Sequence, residues 1–213
     1  VDKTALLLTI VTLTAIAVYL TAPTFLFLTL LGAIVGFVVA LIIIFSGSMN
    51  PILICTYAAC QGLFLGGITW IIEKQVDYPG LGIVAAVLTL LILGVMLSIY
   101  RAGLISWNKN MQIAVTSSMV AILLIYLVSF IGSFVGFEIP LIHGNGIVGI
   151  GFSVFVVGIA SLCLVADFDF IERGVERGAP KQLEWRAAFG LLVTLIWLYL
   201  EILKLLAKLA SRR

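Results

Sequence analysis

Three acidic residues lie inside long apolar stretches of this 213-residue chain: Asp167, Asp169 and Glu201. At the centre of a membrane helix an acidic side chain costs about 2.5 to 3.5 kcal/mol on insertion scales, so it is kept where it faces a bundle interior and finds a partner. Because Asp169 follows Asp167 by two residues, about 200° around a helix, both cannot point at one site. We therefore expect one of them to face the bundle and the other to face water or a neighbouring helix.

Asp167 and Glu201 have the chemistry of a proton-operated latch. Two carboxylates brought together away from water cannot both ionise readily, so they titrate as a coupled pair in two steps. Sharing a proton, the pair would tie two helices together; ionised, it would repel itself or bind Ca²⁺, which takes hard oxygen ligands. The alternative is that Glu201 pairs with Lys204, one turn away, and that Asp167 is an acid at the water interface.

The depth of the two acids sets a condition on the latch. If 180–208 is one straight helix, Glu201 lies about 30 Å from the turn at Gly178 and Asp167 only about 16 Å from it, so they cannot meet. If Pro180–Phe189 instead lies along the membrane interface and the helix is redirected near Gly190, the two depths match.

The composition defines the elements that must position these residues. Hydrophobic residues make up 63% of the chain and charged residues 10%, against roughly 45–50% and about 25% in a soluble domain. This excludes a soluble enzyme and a disordered protein, and a net charge of +2 gives no surface for nucleic acid.

A spanning helix needs about 20 mostly apolar residues. We predict an all-α membrane protein with one transmembrane domain over 1–213, its seven spans at about 4–21, 24–46, 50–72, 80–100, 111–135, 147–171 and 187–208.

Lysine and arginine in the connections predict the orientation. One side holds seven of these residues: Lys3, Arg101, Lys109, Arg173, Arg177, Lys181 and Arg186. The opposite short loops hold only Lys74, so we expect the N-terminus in the cytoplasm. The basic tail after residue 203 would then lie outside, against the rule. Either the upstream helices set the topology, or the last segment does not fully cross.

No catalytic pattern stands out, and we expect no enzyme and no cofactor. The only histidine, His143, lies in a loop without a companion ligand, and the three cysteines lie in apolar runs without metal-site spacing. The third span, 50–72, contains no acid of the kind that a retinal-binding pump would need.

Two segments carry a resemblance to a known family: LVADFDFIERGVERGAPKQLEWRAAFGLLVTLIWLYLEILKLL, and NPILICTYAACQGLFLGGI in the third span. They resemble the bacterial branch of the Bax inhibitor family, the transmembrane Bax-inhibitor-motif proteins. The resemblance implies a helical bundle with the seventh helix near its centre, and a pH-sensitive Ca²⁺ leak through a di-aspartyl pair on the sixth and seventh helices. Asp167 matches the first acid and Glu201 the second, where Glu adds a methylene to the family's Asp.

Three further positions have two interpretations each. Relatives similar to this chain often carry an acid at the place of Gln61, which cannot titrate, so Gln61 either marks altered conduction or hydrogen-bonds a neighbouring helix. Arg101 is either a cationic partner of Asp167 or a snorkelling anchor. Gly62 and Gly66 form GxxxG, for which we favour close packing within the bundle over dimerisation.

The function expected from these residues is a pH-sensitive Ca²⁺ or general cation leak channel, with Ca²⁺ and H⁺ as transported or regulating ions. Asp167 and Glu201 would form the pH sensor and ion site, supported by Asp169, Arg101, Gln61 and Lys204. A proton-coupled secondary transporter is one alternative, since broken helices and midplane acids are its signature too. The other is a non-conducting regulator that acts by binding a partner membrane protein.

Overall fold

Seven α-helices make up the secondary structure of the computed structural model, which describes residues 2–134 and 146–212 without the side chains of 22–25 and 134. The helices are α1 Asp2–Phe25, α2 Phe27–Ser46, α3 Pro51–Val76, α4 Leu81–Arg101, α5 Lys109–Phe134, α6 Ile147–Glu176 and α7 Leu183–Ala210. All seven are long and apolar enough to cross a membrane, which confirms the predicted all-α membrane fold. His143 lies outside the described residues.

Most helix ends follow local sequence signals. Asn50 caps α3, because its side chain accepts a hydrogen bond from the Ile52 N–H and Pro51 occupies the first helical position. The chain after α2 turns at Gly47 (φ 62°) and the chain after α6 turns at Gly178 (φ 61°), left-handed conformations that favour glycine.

Several helices extend past the predicted spans, and in two of them an extension at the C-terminal end contains an acidic residue. We predicted that the third span ends at 72 and the sixth at 171, whereas α3 continues to Val76 and α6 to Glu176. The charged residues Glu73 and Glu172 interrupt the apolar pattern but not the helix. α3 therefore contains an acid just beyond the predicted third span, Glu73.

The described chain forms two compact units, here called the first and second unit. The first consists of Val1–Gly82 and Phe170–Ile196, and the second of Ile83–Asp169 and Trp197–Arg213. α6 and α7 contribute to both. The single transmembrane domain over 1–213 stays a prediction.

Close approach of helix backbones characterises the first unit. A Cβ atom added at Gly62 would overlap Thr14 of α1, and one added at Gly66 would overlap the backbone of Ala15. On the side of α3 that contacts α2, Gly67 faces Thr29 in the same way. Small residues let helices pack at short distance in a membrane. The GxxxG pair therefore packs within the chain, as we expected.

The second unit has a conventional apolar core between α5 and α6. Its buried residues are Val115, Ile122, Val156, Ile159 and Cys163. Tyr126 and Trp197 pack against this core, so α7 adds an aromatic side chain to it. The last helix is the most shielded of the seven: half of its most apolar window is buried, against 44% for α3 and at most 33% for the others. This agrees with a central seventh helix.

Candidate functional site

Glu201 of α7 is the most deeply buried charged side chain among the described residues, with 1% of its surface exposed. Both carboxylate oxygens accept hydrogen bonds. Oε1 accepts from Lys204 Nζ at 3.0 Å and from Trp197 Nε1 at 3.2 Å. Oε2 accepts from the Tyr126 hydroxyl at 2.9 Å. A buried carboxylate needs such partners, because removing a charge from water without compensation costs several kcal/mol.

Helical spacing on α7 brings two of these partners together. Trp197 precedes Glu201 by four residues and Lys204 follows it by three, so all three side chains share one face of the helix. Tyr126 reaches the same carboxylate from α5, and the Lys204 ammonium lies 4.8 Å from the centre of its ring. The alternative pairing of Glu201 with Lys204 is therefore confirmed as an ion pair.

Asp167 and Asp169 lie in the last third of α6. Both side chains are partly buried, and the Oδ2 atom of Asp167 is shielded from solvent. Phe168 between them is buried, and its ring lies 5.8 Å from that of Tyr100 on α4.

A contact between Asp167 and Glu201 stays a prediction. In the described part of the chain, the hydrogen bonds and ion pair of Glu201 go to Tyr126, Trp197 and Lys204. Lys208 Nζ bonds Gly149 O and Ser153 Oγ, which places the end of α7 beside the beginning of α6. Counted from Ser153 at 1.5 Å per residue, Asp167 lies about 21 Å further along α6. Counted from Lys208, Glu201 lies about 10 Å back along α7. An axial offset of about 10 Å remains between them.

The two cases set by the sequence differ in where the last helix begins. α7 begins at Leu183 and continues through Gly190 as an uninterrupted helix. Pro180 lies before the helix, and the segment 183–189 belongs to it rather than forming a separate interfacial piece. A direct pair of carboxylates would therefore require α6 and α7 to slide or bend relative to the described arrangement.

The remaining predicted site residues lie elsewhere. Arg101 is the last residue of α4 and is exposed, and within the described residues no ion pair joins it to Asp167. Gln61 is half-buried on α3, where its amide lies against Gly36 of α2. The part of Gln61 in conduction stays a prediction.

The sequence analysis missed a second buried acid. Glu73, in the last turn of α3, is 7% exposed. Its Oε2 accepts from the Tyr19 hydroxyl at 2.6 Å, and its Oε1 accepts from the backbone N–H of Gly82, in the first turn of α4, at 2.7 Å. An anion at a helix N-terminus is stabilised by the unsatisfied N–H groups there. The adjacent Lys74 made Glu73 look like a loop residue; the partners Tyr19 and Gly82 carry no local signal.

The described residues contain no group of three or more His, Cys, Asp or Glu side chains that could hold a metal ion. Ca²⁺ takes six to eight oxygen ligands, whereas Glu201 and Tyr126 offer three oxygen atoms. Ca²⁺ binding by Asp167 and Glu201 stays a prediction.

Comparisons with other proteins assign a family to nearly the whole chain. No curated protein and no solved structure matches it. The family model described as Bax inhibitor 1 like matches residues 1–211. Together with the seven membrane-spanning helices, this match shows that the chain is an integral membrane protein and belongs to the Bax inhibitor 1 like family.

Proposed function

We propose that this protein is a regulated cation leak channel, that Ca²⁺ is a permeant ion, and that Glu201 controls the pathway. The observation that carries the proposal is a charged carboxylate, 1% exposed, in the most shielded membrane helix. Ionisable residues at such positions commonly mark ion or proton pathways. The cation is the cargo here, and no resident cofactor is invoked.

The described arrangement corresponds, in this proposal, to a non-conducting state. Glu201 is closed off by the Lys204 ammonium on one oxygen and by the Tyr126 hydroxyl on the other. Opening must break at least one of these contacts, so that the carboxylate can exchange a proton or meet a cation. Asp167 is the second acid of the pathway. We propose that α6 slides along α7 and so brings Asp167 to Glu201.

The orientation belongs to the same proposal. The seven-to-one excess of Lys and Arg favours a cytoplasmic N-terminus, and a bacterial inner membrane is the membrane we propose. The ends of α5 and α7 and the beginning of α6 then face the outer side, so that Lys204 and Lys208 lie near the outer end of the pathway.

The test is Ca²⁺ flux into proteoliposomes of the purified full chain, measured with an entrapped dye against external pH. We expect flux to depend on pH, and the Glu201→Gln variant to lose most of that dependence, because an amide cannot exchange a proton as a carboxylate does. Glu73→Gln is the matched control, since it also removes a buried, tyrosine-bound carboxylate. It should keep the pH response.

Three outcomes would reject the proposal. Flux that requires and dissipates a proton gradient would identify a coupled transporter. Absence of flux from a folded, reconstituted protein would favour a regulator that acts on a partner protein. An unchanged pH profile in Glu201→Gln would remove Glu201 from control of the pathway.

A further inference from the structure

We propose that the Lys204 ammonium group is a tethered cation that occupies the cation-binding side of Glu201 and competes there with mobile cations. The inference rests on the proposed function, in which Glu201 meets cations, and adds how access to it is limited. It assigns Lys204 a blocking role that a purely structural ion pair would not have.

The geometry makes the ammonium a substitute for a bound cation. Lys204 Nζ lies 3.0 Å from Glu201 Oε1 and 4.8 Å from the centre of the Tyr126 ring. A carboxylate oxygen and the face of an aromatic ring both attract cations. A mobile cation that reached Glu201 would use the same two groups, so it and the ammonium exclude each other.

The exposure of the two partners makes exchange feasible. Glu201 has 2% of its side chain exposed, whereas Lys204 has 46% exposed. The carboxylate therefore lies in the interior, whereas the lysine lies partly at the surface. Lysine carries a strongly hydrated point charge on a flexible stem, so it can leave the carboxylate for solvent without leaving the helix surface.

A second ammonium lies one turn further along α7. Lys208 Nζ is held by Gly149 O at 3.0 Å and by Ser153 Oγ at 2.9 Å, both on α6. It makes no ion pair with Glu201 in the described residues, yet it places another positive charge at the same end of the helix. This makes Lys208 the matched control: the same charge on the same helix, without the contact.

The experiment measures cation binding directly, in detergent micelles at fixed pH. Tb³⁺ serves as the probe, because it takes oxygen ligands as Ca²⁺ does and becomes luminescent beside an excited indole. Trp197 donates to Glu201 Oε1 at 3.2 Å, so a Tb³⁺ ion at the carboxylate lies close enough to be sensitised. Glu201→Gln should remove the signal and thereby identify the carboxylate as the site.

We expect Lys204→Met to bind Tb³⁺ at least about tenfold more tightly than the wild type, since it keeps the length of the stem and removes the competing charge. Lys204→Gln should bind Tb³⁺ as tightly as Lys204→Met. Because its amide can still donate to Glu201, it serves as a second neutral variant in case Lys204→Met fails to fold. Lys204→Arg should bind no more tightly than the wild type. Lys208→Met should change the affinity by at most about threefold, because only the general field is altered.

Two results would overturn the inference. One is equal affinity in the wild type and in both neutral Lys204 variants. The other is an equal gain in Lys208→Met, which would show that net charge alone matters. Binding in micelles needs no conduction, so a Lys204→Met protein that binds tightly while the reconstituted channel carries no flux would reject only the proposed function. A conducting wild type with unaltered binding in the variants would reject only the competition.

Discussion

Two buried glutamates of this protein each accept a hydrogen bond from a tyrosine, but their other carboxylate oxygens have different kinds of partner. Glu73, in the first unit, has its other oxygen on the backbone N–H of Gly82. Glu201, in the second unit, has its other oxygen on the ammonium of Lys204 and on the Trp197 indole. A backbone N–H in a helix cannot move away without unwinding the helix, whereas a lysine changes rotamer.

The surroundings of the two acids extend this contrast. In the first unit, α3 meets α1 and α2 through glycines whose neighbours leave no room for a Cβ. The second unit packs ordinary apolar side chains between α5 and α6. Interfaces made of backbone tolerate little adjustment, whereas side chains can repack. In the proposed channel, we therefore expect the first unit to serve as scaffold and the second unit to contain the part that changes state.

The largest expected effect comes from filling the α1–α3 contact. Gly66→Leu should destabilise the protein by about 3 kcal/mol or more, because its side chain would overlap the backbone of Ala15. Gly158→Leu is the control, since Gly158 is an exposed helical glycine with open space around it. Unfolding in mixed micelles measures both. Equal stability of the two variants would contradict the rigid first unit.

The next effect separates the two tyrosines. Tyr19→Phe should cost about 2 kcal/mol, because it leaves Glu73 with one donor and a lost hydrogen bond to a charged group. Tyr126→Phe should cost about 1 kcal/mol, since Glu201 retains Lys204 and Trp197. The same unfolding assay compares them, with flux as a second measurement. If Tyr126→Phe proved the more damaging, the second unit would be the less adaptable of the two.

The smallest effect, and the one most able to break the comparison, concerns Gln61 in the first unit. From the family resemblance we expect Gln61→Glu to raise cation flux and shift its pH midpoint, because it adds a titratable charge in a low-dielectric site. That result would add α3 to the pathway. A stable Gln61→Glu protein with unaltered rate and midpoint would leave the first unit as scaffold alone.

The sequence predicted features that depend on spacing along one helix, but it did not predict contacts between side chains of different helices. The seven spans follow from apolar runs, and the pairing of Glu201 with Lys204 follows from a spacing of three residues. Tyr126 lies 75 residues from Glu201, in an apolar stretch where a tyrosine hydroxyl carries no positional signal. Glu73 was missed for a related reason. With Lys74 beside it, Glu73 looks like an exposed loop residue, and its partners Tyr19 and Gly82 lie outside the third span.

The hydrogen bond from Gly82 to Glu73 has a consequence for how this protein can vary. Its donor is a main-chain amide, which every residue except proline supplies, so position 82 has no side chain whose replacement must be matched by a change at 73. Correlated substitution between related sequences would therefore reveal the link from Glu73 to Tyr19 and not the link to α4. The attachment of α3 to α4 can persist through evolution while leaving no trace in paired substitutions, apart from the exclusion of proline at position 82.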